Sequence, residues 1–298
     1  MERLLTKQEL DRNVTEAEFL DDMECLFAVL EDAYGLYDYF GAEAFQRAKH
    51  RIMEELEPYE FDKAVSSVKR VFSEFVRDGH FRIGSGAGGD DKANFAILET
   101  DHHGIPMIRC RKFWYDSPAE RAELEQFASS YAGYQNDSPL ILDLRDNPGG
   151  SDVYIWDFLT GLFGLEPDYP CLYIQRYSPL FQSATGTKKL GIESWESEGA
   201  RITGTKMIYV LVNEKTASSA ESAVAYLKTS ANTVIVGTHT AGCFTCGNCI
   251  TVYLPNSHLP VYFGTGMVLY EKTRNIDTEG GFRADISFEE FHRMVTHI

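Results

Sequence analysis

A chain of 298 residues, with 44% apolar and 24% charged residues, can bury a full core as one large domain or one domain with a small cap. Its net charge of -17 excludes a nucleic-acid partner and an anionic membrane surface, because phosphate recognition needs a basic face. The sequence holds no apolar run long enough to span a bilayer, and "MERLLTKQELDRN" has no apolar signal core, so a cytoplasmic protein is the expectation.

Residues 1–78 read as a helical N-terminal cap. Thr15 and Glu18 form a capping box, and Phe19, Leu20, Met23, Phe27 and Leu30 follow at helical spacing up to Gly35. Two more helices are predicted over 42–56 and 61–77. From residue 79 to 298 a second domain is expected. "FRIGSGAGGDD" is a strand end and a Gly-rich loop, and "NFAILET" and "IPMIRCRKFW" read as strands. Ser117 and Pro118 open a helix as N-cap and first position. "PLILDLR", "CLYIQRY", "KMIYVLV" and "TVIVG" then read as strands, with helices at "DVYIWDFLTGLF" and after Ser218. This alternation predicts an α/β fold with a largely parallel sheet and crossover helices. The polar stretch 178–205 reads as an irregular surface loop. Short strands and a terminal helix, "SFEEFHRMV", close the chain.

Three stretches carry chemistry. "TASSAES" (216–222) stands between an apolar strand and a helix. Ser218 with Glu221 three residues on satisfies a capping box, while the same junction also exposes a serine beside the free amides of a helix start. "LILDLRDNPGGSD" (140–152) runs a buried strand into Gly149 and Gly150, which suits a tight α/β turn or two amides aimed at an anion. Both loops are expected at the carboxyl ends of strands, where α/β folds bind ligands. In "VRDGHFRIG" (76–84), His80 needs a hydroxyl or carboxylate partner to become a base.

"DGH", "DLRDNPGG" and "TASSAE", in this order, resemble the serine peptidase family of the C-terminal-processing (tail-specific) proteases. The closest resemblance is to the PDZ-less branch related to the tricorn core and the interphotoreceptor retinoid-binding protein repeats. The resemblance implies a crotonase-like core and hydrolysis of a peptide or protein substrate through an acyl-enzyme. It implies Ser218 as nucleophile, His80 as general base, and an oxyanion hole from the amides of Ser219 and Gly150 or Gly149. "DTEGGFRADI" resembles the family's closing segment and makes Glu279 the candidate partner of His80, with an exposed turn carboxylate as the other reading. Asp78 is expected to brace the turn. The lysine base of the processing branch is missing, since Cys243 stands in its place and Lys228 reads as a solvated helix residue.

Cys243, Cys246 and Cys249 recur at three-residue intervals, a spacing that suits a soft metal, but no fourth ligand is near. His239 or His258 would have to complete such a site. The expectation is therefore a thiol-bearing turn, with no metal and no cofactor. A redox-sensitive thiol pair is a further reading. Two other functions stay open: a non-catalytic peptide or apolar-ligand binder on the same fold, and a crotonase-type reaction on an acyl thioester.

Overall fold

The computed structural model describes residues 2–85, 97–166, 168, 170–197, 199–270 and 280–296. The chain forms two compact units. Among the described residues no helix is long and apolar enough to cross a membrane.

The first unit comprises Met1–Asp91, Tyr173–Trp195 and Cys246–Val268. Its helices Glu16–Ala33, Ala42–Glu54 and Phe61–Ser73 lie where the periodicity puts them, although the third stops earlier than predicted. The first opens on the predicted capping box, in which Glu18 accepts from the Thr15 amide at 2.8 Å. Their apolar faces meet in an aromatic cluster: Tyr37 stacks on Phe45 at 4.4 Å, and Phe72 packs against Phe27, Phe45 and Phe81. Such rings supply both the buried area and the geometry of a small helical core.

This unit also carries a five-stranded sheet. Strands Arg82–Ile83, Pro260–Tyr270, Cys171–Tyr177 and Gly191–Glu196 follow one another across it, and Cys246–Tyr253 pairs antiparallel with Pro260–Tyr270. The stretch read as an irregular loop is thus structured. Ser178 caps a helix at Pro179–Thr185, accepting from the Phe181 amide at 3.1 Å, and Gly191–Glu196 is a sheet edge. Polarity misled the sequence reading here, because that edge strand is exposed along nearly its whole length.

The second unit comprises Lys92–Leu172, Glu196–Thr245 and Leu269–Ile298. Its sheet runs Ile97–His102, Ile105–Cys110, Leu140–Asp143, Ile208–Val212, Thr233–Gly237. The first pair is an antiparallel hairpin, and the other three pairings are parallel, as the alternation predicts. Leu140–Asp143 and Ile208–Val212 are buried at every residue, the mark of central strands covered on both faces. Ile105, Ile141, Tyr209, Leu211 and Val236 form one face, closed by Phe291 and Val295 of the terminal helix Phe288–Val295. Helices Pro118–Ser129, Asp152–Phe163 and Ser219–Leu227 pack together, with Phe127 stacked on Phe158 at 4.9 Å.

Ile141 is fully buried in this layer. Ile141→Ala should cost about 2–5 kcal/mol, read as a lower midpoint in urea denaturation.

Candidate active site

Two loops leave the carboxyl ends of the adjacent parallel strands Leu140–Asp143 and Ile208–Val212, and several bonds stitch them together. Asp146 and Asn213 exchange two hydrogen bonds, each 3.0 Å, through the Asp146 amide and the Asn213 side chain. The Thr216 hydroxyl donates to the Leu144 carbonyl at 2.9 Å, and the Ala217 amide donates to the Asn147 carbonyl at 2.9 Å. The Ser219 hydroxyl donates to the Gly150 carbonyl at 2.8 Å. Beneath them, fully buried Asp143 takes a bidentate pair from Arg145 at 2.8 and 2.7 Å. Arg111 and Asn213 hold the Asp146 carboxyl below its ordinary value, with the Asn213 hydrogen bond the larger cause.

Ser218 sits at the end of the second loop with φ 53° and ψ −121°, as the N-cap of helix Ser219–Leu227. A positive φ is costly for any residue with a Cβ, and such strain gathers where a side chain must be aimed. The strain is over-determined by Glu221. This fully buried carboxylate accepts from the Ser218 amide at 2.9 Å, the Gly242 amide at 2.9 Å, the Cys243 amide at 2.8 Å and the Thr240 hydroxyl at 2.6 Å. Burial pushes its carboxyl up, and the donors pull it back. The glutamate that reads as a capping partner thus also anchors the 240–243 turn.

Gly149 and Gly150 have φ 98° and 135°, which side chains do not tolerate. A Cβ on Gly149 would lie 2.7 Å from the Ala217 carbonyl oxygen and 2.7 Å from Ser218 Cβ. A Cβ on Gly150 would overlap the Phe113 carbonyl. The two loops therefore touch through bare backbone. The Gly149 amide donates to Asn147 Oδ1 at 2.8 Å. Among the described residues, the amides of Gly150 and Ser219 donate no hydrogen bond. Of the two glycines named by the resemblance, Gly150 is the one with a donor to offer.

His80 belongs to the first unit. It is buried, and its amide donates to Asp78 Oδ1 at 2.8 Å, the same oxygen standing 3.7 Å from its Nδ1. Asp78 also accepts from the Tyr34 hydroxyl at 2.9 Å. Asp78 thus braces the turn, as expected, and flanks the imidazole as well. Glu279 lies outside the described residues. Lys228 is exposed at the C-cap of the helix that Ser218 begins, about 14 Å of helix away, as its reading as a solvated residue requires.

The cysteines divide between the units, Cys243 in the second and Cys246 and Cys249 in the first. Burial pushes the Cys246 thiol well up and the Cys249 thiol up to about 12. Protonated thiols are poor ligands. Among the described residues no cysteine belongs to a group spaced to hold a metal ion.

Two features escaped the sequence. Asp152, at the start of helix Asp152–Phe163, accepts from the Ser222 hydroxyl at 3.2 Å, and desolvation of the carboxyl raises its pKa. The sequence offers Asp152 only as an alternative to Ser151 for capping that helix. The other is a trio of histidines, His102, His103 and His292, taken up below.

Gly149→Ala should force the two loops apart and misplace Ser218 by a fraction of an ångström or more. We expect the rate of Ser218 labelling by a fluorophosphonate probe to fall about 100-fold, with far-UV circular dichroism unchanged.

Residues 104–288 match the model of peptidase family S41. A search of curated proteins finds no match. A lipoprotein from Streptococcus agalactiae is similar in structure, with TM-score 0.58, 17% identity, and coverage of 95% of this chain and 97% of that one. A provisionally described peptidase from Parabacteroides merdae ATCC 43184 gives TM-score 0.59 and 17% identity over 92% and 91% of the two chains. The photosystem II D1 C-terminal processing protease gives TM-score 0.53 and 13% identity over 93% and 94%. At these identities the structures speak for the fold, and the family match, which covers more than half of the chain, speaks for descent: the chain belongs to peptidase family S41.

Proposed function

We propose that this protein is a serine peptidase of the PDZ-less branch, which cleaves peptide bonds in a peptide or protein substrate. The observation that carries the reading is Ser218, held at φ 53° on a strand-to-helix junction against the Gly149–Gly150 backbone. A helix cap has no need of that strain, whereas a nucleophile raised over a sheet does. In this reading Ser218 Oγ attacks the scissile carbonyl and His80 accepts its proton. The amides of Ser219 and Gly150 stabilise the oxyanion, and water releases the acyl group. His80 as base follows from the motif order and is supported by Asp78 at its side, with Glu279 as a second carboxylate to orient it. The fold we propose is a crotonase-like core over residues 79–298, with the helices of 1–78 as its cap, in a cytoplasmic enzyme.

A fluorophosphonate probe tests this. Ser218 should carry the label, Ser218→Ala should lose it, and Ser219→Ala should keep it, since the reaction uses only its amide and its hydroxyl serves loop docking. His80→Ala should lower kcat/KM by at least about 10³-fold. Folded protein that neither labels nor cleaves peptides would point instead to a non-catalytic binder. Label on Ser219 would shift the nucleophile by one residue.

A further inference from the structure

Away from the serine, three imidazoles converge. His102 ends strand Ile97–His102, His103 is the first residue of the turn to Ile105, and His292 lies on the terminal helix. One ring nitrogen of each falls within 4.8 Å of the others. His102 pairs with Ile105, so its side chain stands on the sheet face that the helix covers. There its ring lies nearly parallel to Phe291, at 13° and 5.9 Å. The turn is a two-residue hairpin with φ 53° at His103 and 82° at Gly104. That first position favours Asn, Asp or Gly, and a histidine there gives up local stability.

We propose that His102, His103 and His292 form a binding site for one divalent transition-metal ion of the zinc class. Neutral imidazole suits zinc, copper and nickel. Tetrahedral zinc with bonds of 2.0–2.1 Å needs ligand nitrogens about 3.4 Å apart, which small rotations of the two exposed rings, His103 and His292, toward half-buried His102 would supply. Water, for which the exposed rings leave room, completes the shell. Desolvation, and then the neighbouring imidazoles, hold His102 below the ordinary histidine value. Arg145, which adds to that effect, is itself engaged by Asp143. Asp101 supplies negative charge on the other side.

The place in the fold assigns the role. The turn stands at the amino-terminal edge of the parallel strands, while Gly149 and Ser218 follow their carboxyl ends. A metal here joins the hairpin to the terminal helix and takes no part in acyl transfer. It acts as a clamp between residues far apart in sequence.

The test uses tag-free, metal-stripped full-length protein and zinc alone, followed by competition with a chromogenic chelator. One equivalent should bind, and the melting temperature should rise with it. Cobalt in place of zinc should give the intense visible bands of a low-symmetry, four-coordinate ion. His292→Ala should weaken zinc binding at least about tenfold and abolish the rise, whereas His50→Ala, an exposed histidine elsewhere, should change neither. No stoichiometric zinc binding, or binding that survives both His292→Ala and His102→Ala, would overturn the proposal.

Discussion

One buried carboxylate, that of Glu221, fixes the geometry on which the rest of the site depends. Removing a carboxylate from water is expensive, and it is tolerated only when its oxygens are fully engaged. Glu221 meets that condition with three amides and a hydroxyl, from Ser218, Gly242, Cys243 and Thr240. Hydrogen bonds to a charged acceptor are worth about 1.5–3 kcal/mol each, enough to oppose the local strain of one left-handed serine. The same bonds tie the start of a helix to a turn that follows the next strand. Movement of either would leave a buried charge short of donors.

The second constraint is close approach. Gly149 and Gly150 lack side chains where the neighbouring loop and the Phe113 carbonyl come too near for a Cβ. Bare backbone lets the Ser218 loop dock directly on the glycine loop, and the Asp146–Asn213 pair and the Thr216 hydroxyl set the register of that docking. The division of amides follows. Asn147 takes the Gly149 amide for structure, and among the described residues the Gly150 amide donates no hydrogen bond. Rigid loops of this kind are a requirement for electrostatic catalysis, because donors that must reorganise lose most of their effect.

Local signals made much of this legible. The Thr15–Glu18 box, the Ser117–Pro118 helix start and the alternation after residue 138 all act over a few residues, and each matches the structure. The two loops could be placed at strand ends because a parallel sheet leaves no other place for them. Long-range pairing was not legible. Gly191–Glu196 looks like a loop because an exposed edge strand needs no apolar face, and its assignment depends on a partner strand distant in sequence. The double duty of Glu221 was hidden for the same reason: its near partner is three residues away, and the far ones some twenty. The histidine trio joins residues 102 and 292, a distance no local pattern spans.

The 240–243 turn is anchored to Glu221 largely through its backbone. Glu221 holds the turn through the amides of Gly242 and Cys243 and makes no use of their side chains. The anchor to Glu221 itself places no demand on the side chain at 243. His80 stands on a separate stretch, its amide held by the buried carboxylate of Asp78, which also accepts from the Tyr34 hydroxyl. In the proposed reading, the serine junction and the base are thus held by separate sets of hydrogen bonds.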